Sequence, residues 1–179
     1  MPRTPCTRGG RIATFRSDLG WVAACWIDEL LARLTFGHAS PQAAVKYMAA
    51  DGEPGEPTSW SDSLAQRLQA FAGGDRSDDF LDIPLFVMDM TPFQQAVIER
   101  CRRIPSGETL TYGGLAAATG HPGAARAVGR VMATNRFPLI VPCHRVVAAG
   151  GAIGGFSAPD GIEMKRRLLA PEAAILRCE

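Results

Sequence analysis

The stretch YGGLAAATGHPGAARAVGRVMATN, residues 112–135, contains two short helical segments separated by a break. Thr111 can cap a first helix, YGGLAAAT, that ends at Gly120, and the letters HPG then interrupt the chain before a second helix carrying AARAVGRVMATN. Two helices joined by a short Gly/Pro turn are typical of a helix-turn-helix.

The second helix has one apolar and one basic side. The positions that share its predicted inward stripe are Ala124, Val128, Val131 and Met132. The opposite side carries Arg126 and Arg130 beside the small Gly123, so a nucleic-acid backbone could approach it closely. An ordinary amphipathic helix with solvated arginines has the same pattern, and the pattern alone does not decide between the two.

The chain of 179 residues has a formal net charge of +1, which is unevenly distributed. Residues 1–90 contain 8 Lys+Arg against 12 Asp+Glu, whereas residues 91–179 contain 11 against 6. A basic second part is typical of a surface that meets a polyanion such as nucleic acid, although ordinary surface charge also fluctuates by this much. Length and charge together favour two compact parts, residues 1–90 and 91–179.

The first part begins as a small antiparallel sheet. The runs RIATFR, WVAACW and LARLTF predict three short strands joined by tight turns. Ser40 and Pro41 then predict the start of a helix, which Asp51 and Gly52 end.

The rest of the first part predicts a loop, a second helix, a hinge and a further strand. The Pro- and Gly-rich residues 51–62 are expected to form the loop. An i, i+4, i+7 repeat predicts a helix closed by Gly73 and Gly74, with Leu64, Leu68 and Phe71 on its apolar face. IPLFVM, residues 83–88, predicts a strand, and the acidic residues 73–80 before it predict the hinge between the two parts.

The second part opens with a capping box. Thr91 takes the cap position, a proline follows it, and Gln94 stands three residues after the cap. The predicted helix runs to Arg102, and its buried face is formed by Phe93, Val97, Ile98 and Cys101. Cys101 is therefore expected to be a core residue.

Cysteine usage and hydropathy predict a soluble, intracellular protein that contacts no membrane. The first five residues lack the apolar region of a signal peptide, and no stretch approaches the roughly 20 apolar residues of a membrane span. The five cysteines contain no C-x-x-C pair, so neither a disulfide framework nor a zinc knuckle is indicated. They are Cys6, Cys25, Cys101, Cys143 and Cys178.

One cysteine, in VPCHRVV at residues 141–147, has a histidine beside it. A thiol becomes a strong nucleophile as the thiolate, which a neighbouring His, Lys or Arg favours. Because neighbours in a strand point to opposite faces, His144 helps Cys143 only if the chain bends after Pro142 or if a water molecule bridges the two. A carboxylate should then orient the imidazole, and Glu163 and Glu172 are both candidates.

Five segments together resemble the O6-alkylguanine-DNA alkyltransferases, also called methylated-DNA–protein-cysteine methyltransferases. They are VPCHRVVAAGGAIGGF, NRFPLI, GAARAVGRVM, IPSGETLTYGGLA and KRRLLAPE. The resemblance is close over residues 91–179 and weaker over residues 11–90. It implies an α+β fold, in which an N-terminal α/β domain with a small antiparallel sheet precedes a C-terminal helical domain. That second domain, with a winged-helix-like helix-turn-helix, would bind DNA and accept the alkyl group.

The family resemblance also implies the activity. The protein would flip O6-alkylguanine, and by extension O4-alkylthymine, out of duplex DNA and transfer the alkyl group irreversibly to Cys143. It would act once per molecule, as a monomer in the DNA minor groove, without cofactor or metal. The expected location is the cytoplasm, on the nucleoid in a bacterium, or the nucleus in a eukaryote.

Site roles follow from the same resemblance. Cys143 is the implied acceptor, His144 the water-bridged base and Glu172, rather than Glu163, the carboxylate that orients it. Asn135 supports the turns around the cysteine, and Tyr112 contacts the phosphate and the flipped base. The implied DNA-binding residues are Arg126, which fills the space of the extruded nucleotide, Tyr112, Gly113, Gln94, His121, Gly123, Ala127 and Gly129. The implied substrate pocket consists of Pro138, Val146, Phe156 and Ser157.

The sequence departs from the family pattern at a few positions. Phe156 stands where the family commonly has Tyr, Arg136 where it often has Pro, and SAPDG follows where Gly-Gly is usual. Some members bind zinc through N-terminal cysteines and histidines, but Cys6 and Cys25 have only His38, His121 and His144 to complete a ligand set. Two other functions are a protein that flips lesions without transferring anything and a hydrolase that uses Cys143 and His144. The presence of Cys143 argues against the first, and the lack of a hydrolase motif against the second.

Overall fold

The computed structural model describes residues 10–48, 53–56 and 58–175. The chain divides into two compact units, Met1–Asp89 and Met90–Glu179. None of the helices within the described ranges is both long enough and apolar enough to cross a membrane. A small mixed sheet with helices confirms the α+β class.

A four-stranded sheet forms the centre of the first unit. Its strands are β1 (Arg11–Ser17), β2 (Gly20–Ile27), β3 (Leu30–His38) and β4 (Glu53–Pro54), in the order β3-β2-β1-β4. The three long strands pair antiparallel, as expected, and β4 pairs parallel to β1. The β2–β3 turn is tight because Asp28 and Glu29 adopt φ of 47° and 67°, the left-handed conformation of a two-residue hairpin turn.

Two helices cover this sheet. They are α1 (Pro41–Met48) and α2 (Ser59–Ala72), and both were expected from the sequence. Ser40 caps α1 by accepting a hydrogen bond from Ala43 N at 3.1 Å. Ala44 and Met48 of α1 are fully buried in one cluster with strand side chains such as Cys25. The apolar face of α2 consists of Leu64, Leu68 and Phe71, which are also buried.

Two predictions for residues 51–62 and 83–88 are wrong. Residues 51–62 are not all loop, because Glu53–Pro54 forms β4 and Thr58 begins α2 through a capping box with Ser61. Residues 83–88 form no strand, and only an isolated bridge joins Leu85 to Leu31. Proline at position 84 has no N–H to extend the ladder there.

The hinge prediction for residues 73–80 is also wrong, since the segment packs within the first unit. Arg67 Nε donates to Asp78 at 2.6 Å, and Arg67 Nη1 donates to Asp82 at 2.8 Å. Phe80 lies between these carboxylates in sequence and is buried. Asp78 and the buried Phe80 therefore anchor this segment to the first unit.

The second unit is mostly helical. Its elements are α3 (Pro92–Arg102), β5 (Leu110–Thr111), α4 (Tyr112–Ala118), α5 (Ala125–Ala133), a 3-10 turn at Cys143–Arg145, β6 (Val146–Val147), a 3-10 turn at Ala149–Gly151 and α6 (Gly161–Ile175). The capping box of α3 forms as expected between Thr91 and Gln94, and Cys101 is fully buried. The short strands β5 and β6 pair in parallel and hold the start of α4 beside the end of the cysteine turn.

The helix-turn-helix is confirmed as α4 and α5. Thr111 caps α4 by accepting from Gly114 N at 2.9 Å. Gly120 and Gly123 both have positive φ, 79° and 87°, which lets the chain reverse between the helices. The buried side of α5 consists of Val128, Val131 and Met132, whereas Arg126 and Arg130 are exposed.

Candidate active site

A cavity of about 330 Å³ opens beside Cys143 in the second unit. Its walls come from α4, from the end of α5, from the cysteine turn and from the loop before α6. The lining residues are Tyr112, Gly129, Met132, Ala133, Cys143, Gly155, Phe156 and Ser157. A volume of this size is at the small end of the range for ligand pockets.

The cysteine lies at the start of a tight turn rather than in a strand. Pro142 precedes the 3-10 turn, and Arg145 N donates to Pro142 O at 2.9 Å to close it. Upstream, Leu139 adopts a φ of 76°, so the apolar run is already bent before it reaches the cysteine. The bend expected after Pro142 is therefore confirmed.

Asn135 fixes the loop that leads to this turn. Its Nδ2 donates to Val141 O at 3.0 Å, and its Oδ1 accepts from Phe137 N at 3.0 Å. The Asn135 side chain also hydrogen-bonds to Cys143. One amide thus joins the end of α5 to the loop and to the sulfur.

The surroundings of the sulfur act on its ionisation in opposite directions. Burial is the largest effect and raises the pKa of Cys143 above its ordinary value. The hydrogen bond from Asn135, the charge of Lys165 and the backbone amides of Cys143 and His144 lower that pKa in part. The resting group is therefore the thiol, and the donors that would stabilise a thiolate are already in position.

His144 is completely buried and connects the turn to α6. Its Nε2 lies 3.2 Å from Glu172 Oε1. An ionised carboxylate can only accept, so Nε2 carries the proton and Nδ1 holds the basic lone pair. The Glu172 carboxylate thus selects the tautomer that can take a proton at Nδ1.

Arg145 shares the same carboxylate. Its Nη2 and Nε donate to Glu172 at 2.7 and 3.0 Å, and its Nη1 donates to Ile104 O at 2.7 Å. Burial alone would raise the pKa of Glu172, but the hydrogen bonds from His144 and Arg145 outweigh it and lower that pKa to about 2. Glu163, the other candidate carboxylate, is exposed and pairs with Arg166.

Lys165 is a site residue that sequence reasoning missed. Its side chain is fully buried, and Nζ donates to Val146 O at 2.6 Å. Burial lowers the pKa of Lys165, whereas negative charge on Cys143 and Cys101, when these are ionised, raises it in part. The signal was present in the sequence, because Lys165 falls at helical spacing with Leu168 and Glu172, on the buried face of α6.

Tyr112 forms one wall of the cavity. Burial is the main cause that raises the pKa of the Tyr112 phenol, and negative charge on Cys143 and Cys101, when these are ionised, adds to the effect. Gly154 packs against the ring, since a Cβ at this glycine would lie 3.2 Å from Tyr112 Cε2. On the opposite wall, Ser157 Oγ donates to Ala133 O at 3.1 Å and ties the loop to α5.

The pocket prediction requires correction at two of its four positions. Phe156 and Ser157 line the cavity, whereas Pro138 and Val146 are not among its lining residues. Val146 is completely buried and pairs with Leu110 in the β5–β6 ladder. Its apolar side chain serves the core of the unit.

The outer surface of the helix-turn-helix carries most of the residues expected to bind DNA. Gly113, Gly123, His121 and Arg126 are exposed, and Ala127 is half-buried. A Cβ added at Gly123 or Gly129 would meet nothing within 4 Å, so the surface there is open. Gln94 is half-buried at the first turn of α3, and its Oε1 accepts a hydrogen bond from Thr91 N at 2.8 Å.

Comparison with known proteins identifies the family. A family model described as 6-O-methylguanine DNA methyltransferase, DNA binding domain, matches residues 92–174. A methylated-DNA–protein-cysteine methyltransferase of Mycobacterium bovis is 37% identical over 153 residues, which are 82% of this chain and 89% of that protein. The chain belongs to this methyltransferase family.

Two further relatives of the methyltransferase family agree with this result. A protein of the same name from Salmonella typhimurium is 44% identical over 86 residues, 48% of this chain and 49% of its own, so the match spans about half of its length. The crystal structure of Mycobacterium tuberculosis OGT in complex with DNA has a TM-score of 0.74 at 32% identity, covering 92% of this chain and 93% of that one.

The second unit of this methyltransferase family member contains its DNA-binding domain. Residues 92–174 include every residue that lines the cavity and both helices of the helix-turn-helix.

The structure does not assemble the zinc ligands considered in the sequence analysis within the described residues. Cys6 lies outside the described residues, Cys25 is in the sheet core and His38 hydrogen-bonds to Thr35. The carboxylates of Asp78, Asp79 and Asp82 lie close enough together to be considered as metal ligands, but Asp78 and Asp82 both bind Arg67 instead.

Proposed function

We propose that this protein repairs DNA by transferring the alkyl group of O6-alkylguanine to Cys143. The observation that carries the proposal is a buried thiol on the wall of a cavity, with Asn135, Lys165 and two backbone amides around its sulfur. These are the groups that stabilise a thiolate at the moment of attack. The enzyme class is that of the family, a methylated-DNA–protein-cysteine S-methyltransferase.

The reaction is a single displacement. Cys143 Sγ bonds to the alkyl carbon while the carbon–O6 bond breaks, and the electron pair of that bond remains on guanine O6. The thiol proton passes, through a bridging water molecule, to Nδ1 of His144. The leaving guanine anion takes up one proton, and His144 gives up the proton that it received, so the net change moves the thiol proton to guanine. Glu172 stabilises the positive imidazole during this step, because its carboxylate is already ionised and accepts from Nε2.

Transfer ends the activity of the molecule. The product at Cys143 is a thioether, and a thiolate is a very poor leaving group from an alkyl carbon, so the free thiol is not regenerated. Each protein therefore repairs one lesion and is consumed. No cofactor takes part in the displacement.

Access to the base requires flipping. A stacked base cannot present its alkyl carbon to the sulfur of Cys143, a residue that is only 7% exposed. Extrusion of the base costs about a few kcal/mol, least for a lesion that pairs poorly. Arg126 fills the space that the nucleotide leaves, and Tyr112 contacts the flipped base and its phosphate. The side-chain-free surface at Gly123 and Gly129, with the small Ala127, supports a close approach to the minor groove.

The side chains that line the cavity determine which groups can contact the alkylated base. Phe156 lines the cavity with an apolar face and offers no hydroxyl to the leaving O6, so donors to that oxygen come from elsewhere in the site. The protein is proposed to act as a monomer on duplex DNA, at the nucleoid in a bacterium or in the nucleus of a eukaryote. O4-alkylthymine is a second candidate substrate of the same pocket.

The test is incubation with duplex DNA containing O6-methylguanine, followed by intact mass and peptide mapping. We expect one added methyl group, on Cys143, and none with undamaged DNA. Cys143→Ser should show no transfer, whereas Cys101→Ser, which removes a second buried thiol of this unit, should keep it.

The two other functions considered in the sequence analysis predict different results. Tight binding of the lesion with unchanged mass would indicate a protein that only flips the base. Repeated turnover of a small ester by the unmodified protein would indicate a hydrolase. Either result would overturn the alkyl-transfer proposal.

A further inference from the structure

Gly129 lies in the middle of α5 without either of the usual structural reasons for a glycine. In a helix interior, glycine is less favourable than any other residue except proline. Gly129 is not among the residues with positive φ, so an alanine can adopt the same backbone conformation. A Cβ at this position would also meet no described residue within 4 Å, so no neighbouring group requires the side chain to be absent.

Two other glycines of the second unit do have such a reason. A Cβ at Gly114, in α4, would lie 3.0 Å from Leu110 Cδ1. Gly154 has a φ of 71°, and a Cβ there would lie 3.2 Å from Tyr112 Cε2. These glycines serve the packing of the unit, whereas the space beside Gly129 is open.

The open space at Gly129 belongs to the cavity beside Cys143. Gly129, Met132 and Ala133 are the residues of α5 that line this cavity. Their i, i+3, i+4 spacing places them on one face of the helix. A side chain at position 129 would therefore extend the wall that Met132 already forms and would take volume from the cavity.

The loop that completes the cavity is fixed to the same helix. Ser157 Oγ donates to Ala133 O at 3.1 Å, and Phe156 beside it lines the cavity. On the other side of Phe156, Lys165 Nζ donates to Gly155 O at 3.5 Å. Because both neighbours of Phe156 are held, the loop resists displacement when a side chain is added to the α5 wall.

We propose that Gly129 is a specificity-determining residue that sets how large an O6-alkyl group the cavity accepts. The inference rests on the proposed alkyl transfer and adds the size of its substrate. Methyl is the smallest alkyl group, whereas a butyl group needs more of the cavity of about 330 Å³. The reaction itself is the same for both, because Cys143 Sγ bonds to the first alkyl carbon and the electron pair of the broken bond stays on O6.

The test compares transfer to Cys143 from O6-methylguanine and from O6-butylguanine in the same duplex. Because the DNA is otherwise identical, a change in DNA binding cancels in the ratio of the two rates. We expect the methyl-to-butyl ratio to rise about fivefold in Gly129→Ala and about a hundredfold in Gly129→Leu, since the added volume overpacks the wall. Ala118→Leu, at an exposed position of α4 outside the cavity, is the matched control and should keep the wild-type ratio.

Thermal unfolding separates a substrate role from a structural one. Gly129→Ala removes a glycine from a helix interior without creating a clash, so its Tm should rise by about 2–4 °C. A lower Tm would indicate that the glycine serves the fold and would contradict the proposal.

The free bases O6-methylguanine and O6-butylguanine provide the same comparison without DNA, and we expect the same order of ratios among the variants. Unchanged ratios in both Gly129 variants, with normal transfer by the wild type, would overturn the size determinant alone. Failure of the wild type to accept either alkyl group would overturn it together with the proposed function.

Discussion

At the scale of single residues, Gly154 controls the position of the Tyr112 wall. Its φ is 71°, and a Cβ there would lie 3.2 and 3.3 Å from Tyr112 Cε2 and Oη. In Gly154→Ala the ring or the Gly154 loop must shift, which reshapes this wall of the cavity, so we expect transfer from the larger O6-butylguanine to slow about tenfold more than transfer from O6-methylguanine. Gly150→Ala is the control, because Gly150 has a similar φ of 72° and nothing within 4 Å. Equal selectivity in the two variants would contradict this expectation.

A second residue-scale prediction concerns the buried charge at Lys165. That charge lowers the pKa of Cys143, so Lys165→Met should raise it and decrease the thiolate fraction at any given pH. We expect the pH–rate profile for alkyl transfer to move to higher pH, with a rate about tenfold lower at pH 7. Arg166→Met, which removes an exposed charge from the same helix, should leave the profile unchanged.

At the scale of elements, α5 combines two exposed arginines one turn apart. Like charges at this spacing repel each other, and α5 has no acidic residue in its first turn to offset them. We therefore expect the pair to be stabilised by DNA phosphates.

Arg130→Ala should weaken duplex binding and reduce the salt slope of log K by about 1. Arg126→Ala should mainly slow repair at saturating duplex. Arg103→Ala, which removes an arginine paired with Glu99, is the matched control and should change neither. An unchanged salt slope in Arg130→Ala would exclude a phosphate contact at that position.

Elements differ in how far the sequence predicts them. The helices with their own caps, such as α3 and α4, are predictable because the capping residues and the apolar repeat lie within one short stretch. The two-residue strands β4, β5 and β6 are not, since they have no periodicity and are defined by a partner distant in the chain. Composition also failed for residues 73–80, where Asp78 of the acidic run binds Arg67 from α2.

At the scale of the whole molecule, the site is assembled from segments that only the fold brings together. Cys143 and His144 are visible as neighbours in the sequence, but the choice between Glu163 and Glu172 needed either a family resemblance or coordinates. Glu172 reaches His144 across 28 positions. Arg145 then links that carboxylate to Ile104, after α3. One carboxylate thus joins α6, the cysteine turn and the end of α3.

That linkage predicts how stability depends on pH. The pKa of Glu172 in the folded protein is about 2, against an ordinary value of 4.5. Because the carboxyl pKa is lowered, ionised Glu172 stabilises the folded state at pH values above about 4.5. This contribution of about 3 kcal/mol is lost as the pH falls towards 2.

Glu172→Gln leaves Arg145 buried without its counter-charge and should cost about 3–5 kcal/mol of unfolding free energy at pH 7. Its loss of stability between pH 4.5 and pH 2.5 should then be smaller than that of wild type. Thermal unfolding across this range, with the exposed Glu163→Gln as control, measures both effects, and parallel curves for wild type and Glu172→Gln would show that this carboxylate does not hold the three segments together.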